Sequence, residues 1–346
     1  MKIKVGKKFI GENQPVFIIA EAGVNHNGDM KLAKKLVDAA KEAGVDVVKF
    51  QTFKSENIVT ADAKQATYQS KNTGKTESQY DMLKRLELSY ADFTDLKKYC
   101  DKKGIIFSST PHSSKEDVDL VAKLCPFIKV GSGDLTNIPI LEYIASKKLP
   151  IILSTGMATM REIQDAVKII SPRNKKLILL HCTTNYPTPF DEVNLEAMAT
   201  MAKKFKLPIG YSDHTEGIEI SLAAVAMGAC VIEKHFTLDK NLPGPDHKAS
   251  LEPRELKKMV EGIRAIEAAF GDGIKKLTLS ELAIAKIARK SIVAASDIIK
   301  GTVIKESVLA IKRPGTGIAP KHIDTIIGRK AKQDIKKDEL ISWKMV

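Results

Sequence analysis

The chain has 346 residues, of which 43% are hydrophobic and 5% aromatic, and its formal net charge at pH 7 is +13. This composition predicts a sizeable core of aliphatic side chains, and no run of 18 apolar residues indicates a membrane-spanning helix. The lysines are scattered over helix-like segments without a dense basic tract or interleaved aromatic residues, which argues against a nucleic-acid-binding protein. A lysine-rich solvated surface explains most of the positive charge, and an anionic small substrate would explain a little of the rest.

The four cysteines lie far apart and form no CxxC pair: Cys100, Cys125, Cys182 and Cys230. This spacing favours reduced thiols over disulfides or a zinc site, so we expect a cytoplasmic protein. The basic stretch MKIKVGKKFIGENQ at the start lacks the apolar segment of a signal peptide, which agrees with that expectation.

One unit recurs along the chain: a short run rich in β-branched residues, a polar cluster and a segment of helical period. The runs are VFIIAEAG (16–23), DVVKFQT (46–52), IIFSSTP (105–111), FIKVGSGD (127–134), IILSTGM (151–157), LILLHCTTNYP (177–187), PIGYSDHT (208–215) and CVIEKHFT (230–237). Apolar strands that alternate with helices are typical of a parallel sheet covered on both faces. Eight such units predict a (β/α)8 TIM barrel, because a doubly wound sheet, the alternative, would be unusually wide.

The segment after the first run shows the helical pattern well. It has a capping residue at Asp29 and a stop at Gly44, and its apolar stripe consists of Leu32, Leu36, Val37 and Ala40. These features predict a helix over 30–43 that packs one face against the sheet.

Polar and charged residues stand at the carboxyl end of every run, where a barrel of this kind has its active site. They are Glu21, Lys49, Gln51, Ser109, Thr110, Lys129, Ser132, Asp134, Ser154, His181, Tyr186, Ser212, Asp213, His214, Glu233 and His235. Eight such ends, all rich in charges and hydroxyls, indicate an enzyme rather than a set of helix caps.

His214 and His235 end neighbouring predicted strands, which lie about 4.8 Å apart. Two imidazoles at that spacing can share one metal ion, and two protein ligands leave the open positions that catalysis needs. The alternative is that each is a hydrogen-bonded residue at a strand end.

Lys49 and Lys129 lie among several hydroxyl residues, namely Ser109, Thr110, Ser132, Ser154 and Ser212. Ammonium groups beside hydroxyls predict a phosphate site, and a Schiff-base lysine of an aldolase is the competing interpretation.

Glu21, Asp134 and Asp246 are candidates for acid–base catalysis, although each could instead cap a helix or pair with a lysine. The stretch LPGPDH, which carries Asp246, predicts a rigid loop. The histidines His26, His112 and His247 are interpreted mainly as structural.

The rest of the chain differs from these units. The insertion over 52–88 is too long for a simple connection and is typical of a lid or a substrate-contacting loop. Residues 272–288 predict a linker with some helix, and 289–346 predict a small module of short strands. Within it DIIKGTVIKESVL (297–309) resembles DIKKDELISWKMV (334–346), which indicates an internal duplication. This module is too small to bury a large core, so we expect it to pack on another surface.

The ordered set of motifs resembles the sialic acid synthase family over residues 16–330. The matching stretches are IIAEAGVNHNGD, VVKFQTFK, FSSTPH, KVGSGDLTNIP, ILSTGM, HCTTNYPTPFDEVNL, GYSDHTEGIE, EKHFTLDKNLPGPDHKAS and AIKRPGTGI. The family condenses phosphoenolpyruvate with an N-acyl hexosamine, usually N-acetylmannosamine, to a nine-carbon 2-keto acid and phosphate.

The resemblance implies a TIM-barrel domain over 1–271 with an amino-terminal β-hairpin extension, a linker over 272–288 and an antifreeze-like (SAF) domain over 289–346. It also implies a domain-swapped homodimer, in which the SAF domain places Arg313 over the partner's barrel. No nucleic-acid or membrane partner is implied.

Residue roles follow from the resemblance position by position. His214 and His235 correspond to ligands of a divalent metal, Mn²⁺ or Mg²⁺, and Glu21 to a catalytic carboxylate, with Asp134 as the second. The phosphoenolpyruvate positions are Lys49, Thr110, Lys129, Ser132, Ser154 and Ser212, and the sugar positions are Gln51, Tyr186, Asp246 and Arg313. Asn72 corresponds to an asparagine that the insertion donates.

Two departures from the family pattern concern the site. Asp134 stands where many members have Glu, which shortens the reach of the proposed base. Thr184, counted with the substrate-binding residues, stands where some members have Asn.

Several alternatives remain open at this point. A related synthase takes 2,4-diacetamido-2,4,6-trideoxymannose to N,N'-diacetyllegionaminate, and a pseudaminic acid synthase is a further relative. A non-catalytic protein that binds sugar phosphates and a lysine aldolase are the alternatives outside the family.

Overall fold

A computed structural model describes residues 1–66, 69–70, 77–112 and 114–346. The chain divides into two compact units, Met1–Phe270 and Gly271–Val346, each of which is described by itself. In the described part of the chain, no helix is both long and apolar enough to cross a membrane.

The first unit begins with an antiparallel hairpin of two strands, β1 (Lys2–Val5) and β2 (Lys8–Gly11). Its apolar side chains Ile3, Val5 and Ile10 are buried and pack with residues from the interior of the following sheet. Because those interior residues come mainly from the first half of each strand, the hairpin closes the amino-terminal end of the sheet.

Eight parallel strands form the body of the first unit. They are β3 (Phe17–Gly23), β4 (Val47–Thr52), β5 (Ile106–Pro111), β6 (Ile128–Val130), β7 (Ile151–Ser154), β8 (Leu177–Cys182), β9 (Ile209–Asp213) and β10 (Val231–His235). Their order is β5-β4-β3-β10-β9-β8-β7-β6, and the end strands β5 and β6 lie against each other. The sheet is therefore a nearly closed barrel, which confirms the predicted fold and removes the doubly wound alternative.

All eight predicted runs form strands, and five of these strands end before their runs do. The run 127–134 contains only the three strand residues Ile128–Val130, and the run 177–187 stops pairing at Cys182. In these runs the last residues are mostly polar, and they belong to the loops at the barrel mouth rather than to the strands.

The strands alternate between two apolar environments. On β4, Val47 packs in the barrel interior and Val48 packs against the helices outside, and Lys49 again points inward. Side chains along a strand point to opposite faces with a period of two, so each strand delivers inward residues at fixed spacing.

Helices cover the outside of the barrel. They are α1 (Met30–Ala43), α2 (Ser55–Ile58), α3 (Gln79–Lys84), α4 (Tyr90–Lys103), α5 (Lys115–Leu124), α6 (Ile138–Ser146), α7 (Met160–Ile170), α8 (Glu196–Phe205), α9 (Glu219–Ala226) and α10 (Pro253–Ala269). As predicted, Asp29 caps α1 by accepting from the Lys31 backbone N–H, and Gly44 ends it with φ +83°. The buried stripe of α1 includes Ala33, whereas Leu32 is only half-buried.

The insertion over 52–88 carries α2 and α3. It has a small apolar cluster of its own, in which Phe53, Met82 and Leu86 pack with Val24. This cluster attaches the insertion to the loop that follows β3. Residue Asn72, the predicted sugar contact, lies outside the described residues.

The second unit contains α11 (Leu279–Ala288), the strand pair β11 (Ser291–Ala294) and β12 (Leu309–Lys312), and a short helix α12 (Ile323–Ile326). Its core is built of isoleucines, alanines and a valine, including Ile292, Ile298, Ile304, Ile335 and Ile341.

The hydrogen bonds of the second unit repeat with an offset of 37 residues, the distance from Asp297 to Asp334. The carboxylate of Asp297 accepts from the Lys337 N–H, and that of Asp334 accepts from the Lys300 N–H. Ile298 and Ile335 exchange both backbone hydrogen bonds. These reciprocal contacts make the two segments equivalent, as the predicted duplication requires.

Candidate active site

A cavity of about 180 Å³ opens at the carboxyl ends of the barrel strands. Its walls are Glu21, Lys49, Gln51, Thr110, His112, Lys129, Gly131, Ser132, Gly133, Asp134, Ser154, Met157, Thr184, Tyr186, Ser212, His214, Glu233 and His235. Thus all eight strands, or the loops directly after them, contribute to one site, as expected for this fold.

The register of neighbouring strands brings the charged residues together. Glu21 on β3 pairs with Lys49 on β4 on one side and with His235 on β10 on the other. Ser212 on β9 pairs with Glu233 on β10. Residues in register on adjacent parallel strands point to the same face, so these five side chains converge in the cavity.

The two lysines of the cavity are almost completely buried, with 3% of Lys49 and 2% of Lys129 exposed. The Lys49 ammonium donates to the Thr110 hydroxyl at 2.9 Å, and the Lys129 ammonium donates to the Ser154 hydroxyl at 2.7 Å. The lysines therefore face the cavity rather than bulk solvent. Burial lowers the pKa of Lys129, because the low-dielectric interior disfavours the charged form.

Two carboxylates balance these cations. Glu21 lies 2.8 Å from the Lys49 ammonium, and Glu233 lies 3.5 Å from Lys129 and 3.7 Å from Lys49. Burial is the largest influence on both acids. For Glu21 it prevails, with help from the negative charge of Glu233, and raises the pKa to about 7. For Glu233 the two ammonium groups outweigh burial, and the pKa lies below its usual value.

His214 and His235 lie side by side, with ring centroids 5.6 Å apart. The Tyr186 ring lies 4.2 Å from the His214 ring and 5.5 Å from the His235 ring, between centroids. Nδ1 of His214 donates to the Thr183 carbonyl at 2.7 Å, because a carbonyl oxygen can only accept. This leaves Nε2 of His214 as the nitrogen with the free lone pair, 3.5 Å from the Ser212 hydroxyl.

Both imidazoles are held in the neutral form that a metal ion requires. Burial lowers the pKa of His214 to about 4, and burial followed by the neighbouring His214 lowers the pKa of His235 well below its usual value. Nδ1 of His235 is buried and has no hydrogen-bond partner among the described residues. Two neutral rings, each with a nitrogen free to coordinate, fit two ligands of a divalent cation.

In the parts of the chain that the structure describes, no three His, Cys, Asp or Glu side chains converge as a metal site. Two imidazoles would leave the remaining coordination positions to water and substrate, as in catalytic sites.

Asp134 and His112 form the opposite wall. Asp134 ends a short 3-10 turn, Ser132–Asp134, and accepts from the Asn137 side-chain amide at 3.1 Å. His112 follows β5, and its Nε2 is buried without a hydrogen-bond partner in the described structure. Burial lowers the pKa of His112 to about 4, and the charge of Asp134 only partly opposes this.

The structure brings nearly all predicted site residues into the cavity. The predicted residues that lie in its wall are Glu21, Lys49, Gln51, Thr110, Lys129, Ser132, Asp134, Ser154, Thr184, Tyr186, Ser212, His214 and His235. Gln51 donates from its side-chain amide to Glu21 at 3.1 Å, and the Thr184 hydroxyl is buried without a partner in the described structure.

Several predicted residues are not part of this wall: the strand-end residues Ser109, His181 and Asp213, and also Asp246 and Arg313. Asp246 is 9% exposed and precedes the 3-10 turn His247–Ala249, and burial raises its pKa to about 6. Arg313 is an exposed residue of the second unit, directly after β12. Asn72 lies outside the described residues.

Two titratable residues of the cavity, Glu233 and His112, had no role assigned to them from the sequence, although Glu233 was counted among the polar strand ends. Glu233 stands two positions before His235 on the same strand, so the period of two already places both side chains on one face. His112, interpreted from the sequence as structural, lines the cavity directly after the strand that carries Thr110. The position of His112 at a strand end was the signal that could have found it.

Comparison with known proteins agrees with this geometry. Residues 36–275 match the model of the NeuB family, and residues 289–346 match the SAF domain. The N,N'-diacetyllegionaminic acid synthase of Campylobacter jejuni is 52% identical over 328 residues, which are 94% of this chain and 98% of that protein. The enzyme of the same name from Legionella pneumophila is 46% identical over 346 residues, covering 99% and 97% of the two chains.

A solved structure supports the same assignment. The N-acetylneuraminic acid synthetase of Leptospira borgpetersenii, crystallised with citrate, superposes with a TM-score of 0.72 at 38% identity. The superposition covers 82% of this chain and 95% of that one. The family match, the near full-length relatives and the cavity of lysines, hydroxyls and histidines all lead to one assignment. The chain belongs to the NeuB family of synthases and carries a C-terminal SAF domain.

Proposed function

We propose that this synthase condenses phosphoenolpyruvate with an N-acyl hexosamine to give a nine-carbon 2-keto acid and phosphate. The observation that carries the proposal is the cavity itself. Two buried lysines and four hydroxyl groups, those of Thr110, Ser132, Ser154 and Ser212, surround the space beside two neutral histidines.

The lysines and hydroxyls suit a small substrate with two anionic groups. Lys49 lies near one carboxylate oxygen of Glu233 and Lys129 near the other, so their ammonium groups can bind a phosphate and a carboxylate that enter together. Hydroxyl donors add hydrogen bonds that orient the anion. Phosphoenolpyruvate has these two groups on one three-carbon frame.

His214 and His235 would hold a divalent cation, Mn²⁺ or Mg²⁺. When bound, such a cation acts as a Lewis acid that polarises the aldehyde oxygen of the open-chain sugar. The Tyr186 ring packs against both imidazoles and restricts their orientation.

The reaction needs a group that takes up and returns protons. The methylene carbon of phosphoenolpyruvate bonds to the aldehyde carbon of the sugar, whose oxygen gains a proton. A water molecule then adds to the carbon that bears the phosphate and loses one proton. The new hydroxyl group gives up its remaining proton to the departing phosphate as the C–O bond breaks, which leaves the keto group. Glu21, whose pKa is raised to about 7, can accept or donate a proton near neutral pH. Asp134 is the second candidate, on the opposite wall.

The far part of the sugar would be held outside the lysine cluster. We assign this role to Gln51, Tyr186, Asp246, Asn72 and Arg313 by resemblance. Positioning of both substrates could supply about 7–11 kcal/mol of the barrier, so these contacts would matter for turnover as well as for affinity.

Two sugars are candidates for the physiological substrate. N-acetylmannosamine would give N-acetylneuraminate, and the Leptospira synthetase, by its name, makes that product. The second candidate, 2,4-diacetamido-2,4,6-trideoxymannose, is favoured by the two relatives at 52% and 46% identity, which are named N,N'-diacetyllegionaminic acid synthases.

Turnover with each sugar tests the proposal. Purified protein is incubated with phosphoenolpyruvate, Mn²⁺ and one sugar at a time, and both phosphate release and product mass are measured. The preferred substrate is expected to give a product that contains all sugar atoms plus the three carbons of pyruvate. Absence of phosphate release with every acylated hexosamine would contradict the enzyme assignment. Borohydride trapping of pyruvate on Lys49 or Lys129 would instead establish a lysine aldolase.

We further propose that the protein acts as a domain-swapped homodimer. Support comes from a short stretch before and within α11 in which six large aliphatic side chains are exposed: Ile274, Leu277, Leu279, Leu282, Ile284 and Ile287. Such a concentration of exposed apolar residues is typical of a protein–protein interface. A second copy that covers it would also bring Arg313 to the partner's barrel.

A cytoplasmic location remains part of the proposal. All four cysteines are free thiols, and Cys100, Cys125 and Cys182 are buried. Unpaired cysteines are usual in a reducing compartment. Immunolocalisation or fractionation of the native protein would check this.

A further inference from the structure

A buried ion pair lies directly behind the two histidines. The Asp213 carboxylate and the Lys234 ammonium are 2.9 Å apart, and both side chains are completely buried. Asp213 is the last residue of β9, Lys234 is on β10, and the two residues are partners in the strand register.

The pair belongs to the outer face of the barrel. Ser212 and His214 line the cavity, and so do Glu233 and His235. Because side chains alternate along a strand, Asp213 and Lys234, which lie between these residues, point away from the cavity. There Asp213 accepts from the Ser221 hydroxyl on α9 at 2.6 Å. The pair therefore connects the two histidine-bearing strands to the helix layer.

The hydrogen bonds of the pair also enclose the loop that carries His214. Asp213 accepts from the backbone N–H of Thr215 at 2.9 Å and from its hydroxyl at 2.8 Å. Lys234 donates to the Thr215 carbonyl at 2.6 Å. The residues immediately before and after His214 are thus both tied to the neighbouring strand, and Lys234 is itself flanked by Glu233 and His235.

Stability alone is a weak reason for such a pair. Two charges lose their hydration when they are buried, and well-packed apolar residues of similar size are often as stable or more stable. Apolar residues at these positions could not form hydrogen bonds to the Thr215 backbone. These hydrogen bonds fix the position of Thr215, and therefore the position of the His214 ring relative to His235.

We propose that Asp213 and Lys234 are positioning residues that hold His214 and His235 at the spacing required to bind one divalent cation. The inference rests on the proposed function of the two histidines. Neither residue touches the cavity, so neither is a catalytic residue.

The test compares Mn²⁺ affinity with fold stability. Lys234→Met keeps the length of the side chain and removes its charge, and the double variant Asp213→Asn with Lys234→Met leaves no buried charge while Asn retains an acceptor for Thr215. Mn²⁺ alone is titrated into each variant by calorimetry. We expect both variants to bind Mn²⁺ at least about tenfold more weakly than the wild type, although the double variant unfolds at a similar denaturant concentration.

The matched control is Leu153→Ala, a buried residue on the outer face of β7. This change leaves a cavity in the core, so the variant is expected to unfold at a clearly lower denaturant concentration while its Mn²⁺ affinity stays at the wild-type value. Wild-type affinity in the double variant would overturn the proposal, because a purely structural pair would alter stability only.

A second measurement separates this proposal from the metal site itself. Hydrogen exchange of the metal-free protein is expected to speed up in peptides that cover 210–216 and 230–237 of Lys234→Met, and to remain unchanged in peptides from β4 to β6. If the wild type binds no Mn²⁺, the proposed metal site fails, and unchanged exchange at 210–216 would in addition overturn the positioning role.

Discussion

The side chains of the cavity illustrate how chemistry depends on residues in close contact. His214 and His235 are neutral mainly because they are buried, and the charge of His214 and the neighbouring lysines further lower the pKa of His235. Burial also raises the pKa of Glu21 to about 7; the Glu233 carboxylate adds to this effect, whereas the Lys49 ammonium opposes it. Each of these groups would behave differently if it were exposed at a loop.

Replacement of His214 by Ala is expected to abolish Mn²⁺ binding and to lower turnover by at least about 10²-fold, because one of two imidazole ligands is lost. The barrel should remain folded, as judged by circular dichroism and thermal unfolding. His181→Ala is the control. That ring also stands at a strand end, but it bonds to the Val193 carbonyl at 2.8 Å and does not line the cavity. Equal losses in both variants would contradict the metal assignment.

Glu21→Gln tests the raised pKa through stability. The pKa of Glu21 rises from 4.5 to about 7 on folding, so between these values the folded wild type binds more protons than the unfolded chain. Its unfolding free energy therefore falls as pH rises through this window. The stabilisation that comes from the raised pKa is fully present below pH 4.5 and is lost as the pH rises through about 7.

Glutamine does not titrate, so this fall is missing in the variant. The unfolding free energy of Glu21→Gln minus that of the wild type should increase steadily from about pH 4.5 to 7. Lys49 loses its 2.8 Å partner in the variant, which lowers the unfolding free energy of the variant, so the trend of the difference with pH is the measure rather than its absolute size. A flat difference across the window, measured by urea titration, would show that the pKa of Glu21 is not raised.

Strands and their loops meet closely at the mouth of the barrel, and one glycine makes this possible. A Cβ atom at Gly156, after β7, would lie 2.1 Å from the Thr184 hydroxyl and 2.8 Å from both the Ser132 hydroxyl and the Cys182 sulfur. The Gly156 N–H donates to the Ser132 hydroxyl at 3.0 Å. The loops after β6, β7 and β8 can therefore pack closely at this point because Gly156 has no side chain.

Gly156→Ala is expected to displace Ser132 and Thr184 and to lower both stability, by about 1–3 kcal/mol, and kcat/KM. The matched control is Gly133→Ala in the neighbouring turn, where an added Cβ meets no atom within 4 Å. That control should be neutral, or more stable by up to about 1 kcal/mol, in chemical denaturation. Equal stability of the two variants would show that the contacts at Gly156 relax without cost.

The proposed swapped homodimer assigns a role in the partner's active site to the second unit of the chain. Exposed aliphatic residues around α11 support a second copy as the partner, and the second unit carries 16 Lys and Arg against 8 Asp and Glu. Its net charge of +8, from a chain total of +13, suits a unit that approaches a site for anionic substrates.

Mixing two variants, assayed at a sugar concentration at which each variant alone has little activity, tests the swapped arrangement. His214→Ala disables the barrel, and Arg313→Ala is expected to raise the KM for the sugar much more than that for phosphoenolpyruvate. If Arg313 acts on the partner's barrel, a mixed dimer has one site with both changes and one intact site. Equimolar mixing with subunit exchange should then restore about a quarter of wild-type turnover, because half of the dimers are mixed and half of their sites are intact.

If Arg313 acts on its own barrel, every site in the mixture carries one of the two changes and no activity returns. Size-exclusion chromatography with light scattering checks that both variants are dimers. Each variant measured alone at the same total concentration is the baseline for the mixture.

The sequence alone determined the barrel, its eight strands and most of the site. The reason is that apolar runs followed by polar residues report strand direction, and the carboxyl ends of parallel strands in a barrel meet at one mouth. The sequence places Glu233, Asp213 and Lys234 at or near strand ends. Only the contacts in the folded structure reveal what each of these residues does.

Only the tertiary structure decided which charges pair and which stay neutral. Lys49 could have paired with any nearby acid, and it is the register of β3, β4 and β10 that places Glu21 and Glu233 beside it. The same packing places His112 in the wall of the cavity, whereas Asp246 lies outside this wall. Burial and distance set pKa values and partners, and neither can be read from a linear order of residues.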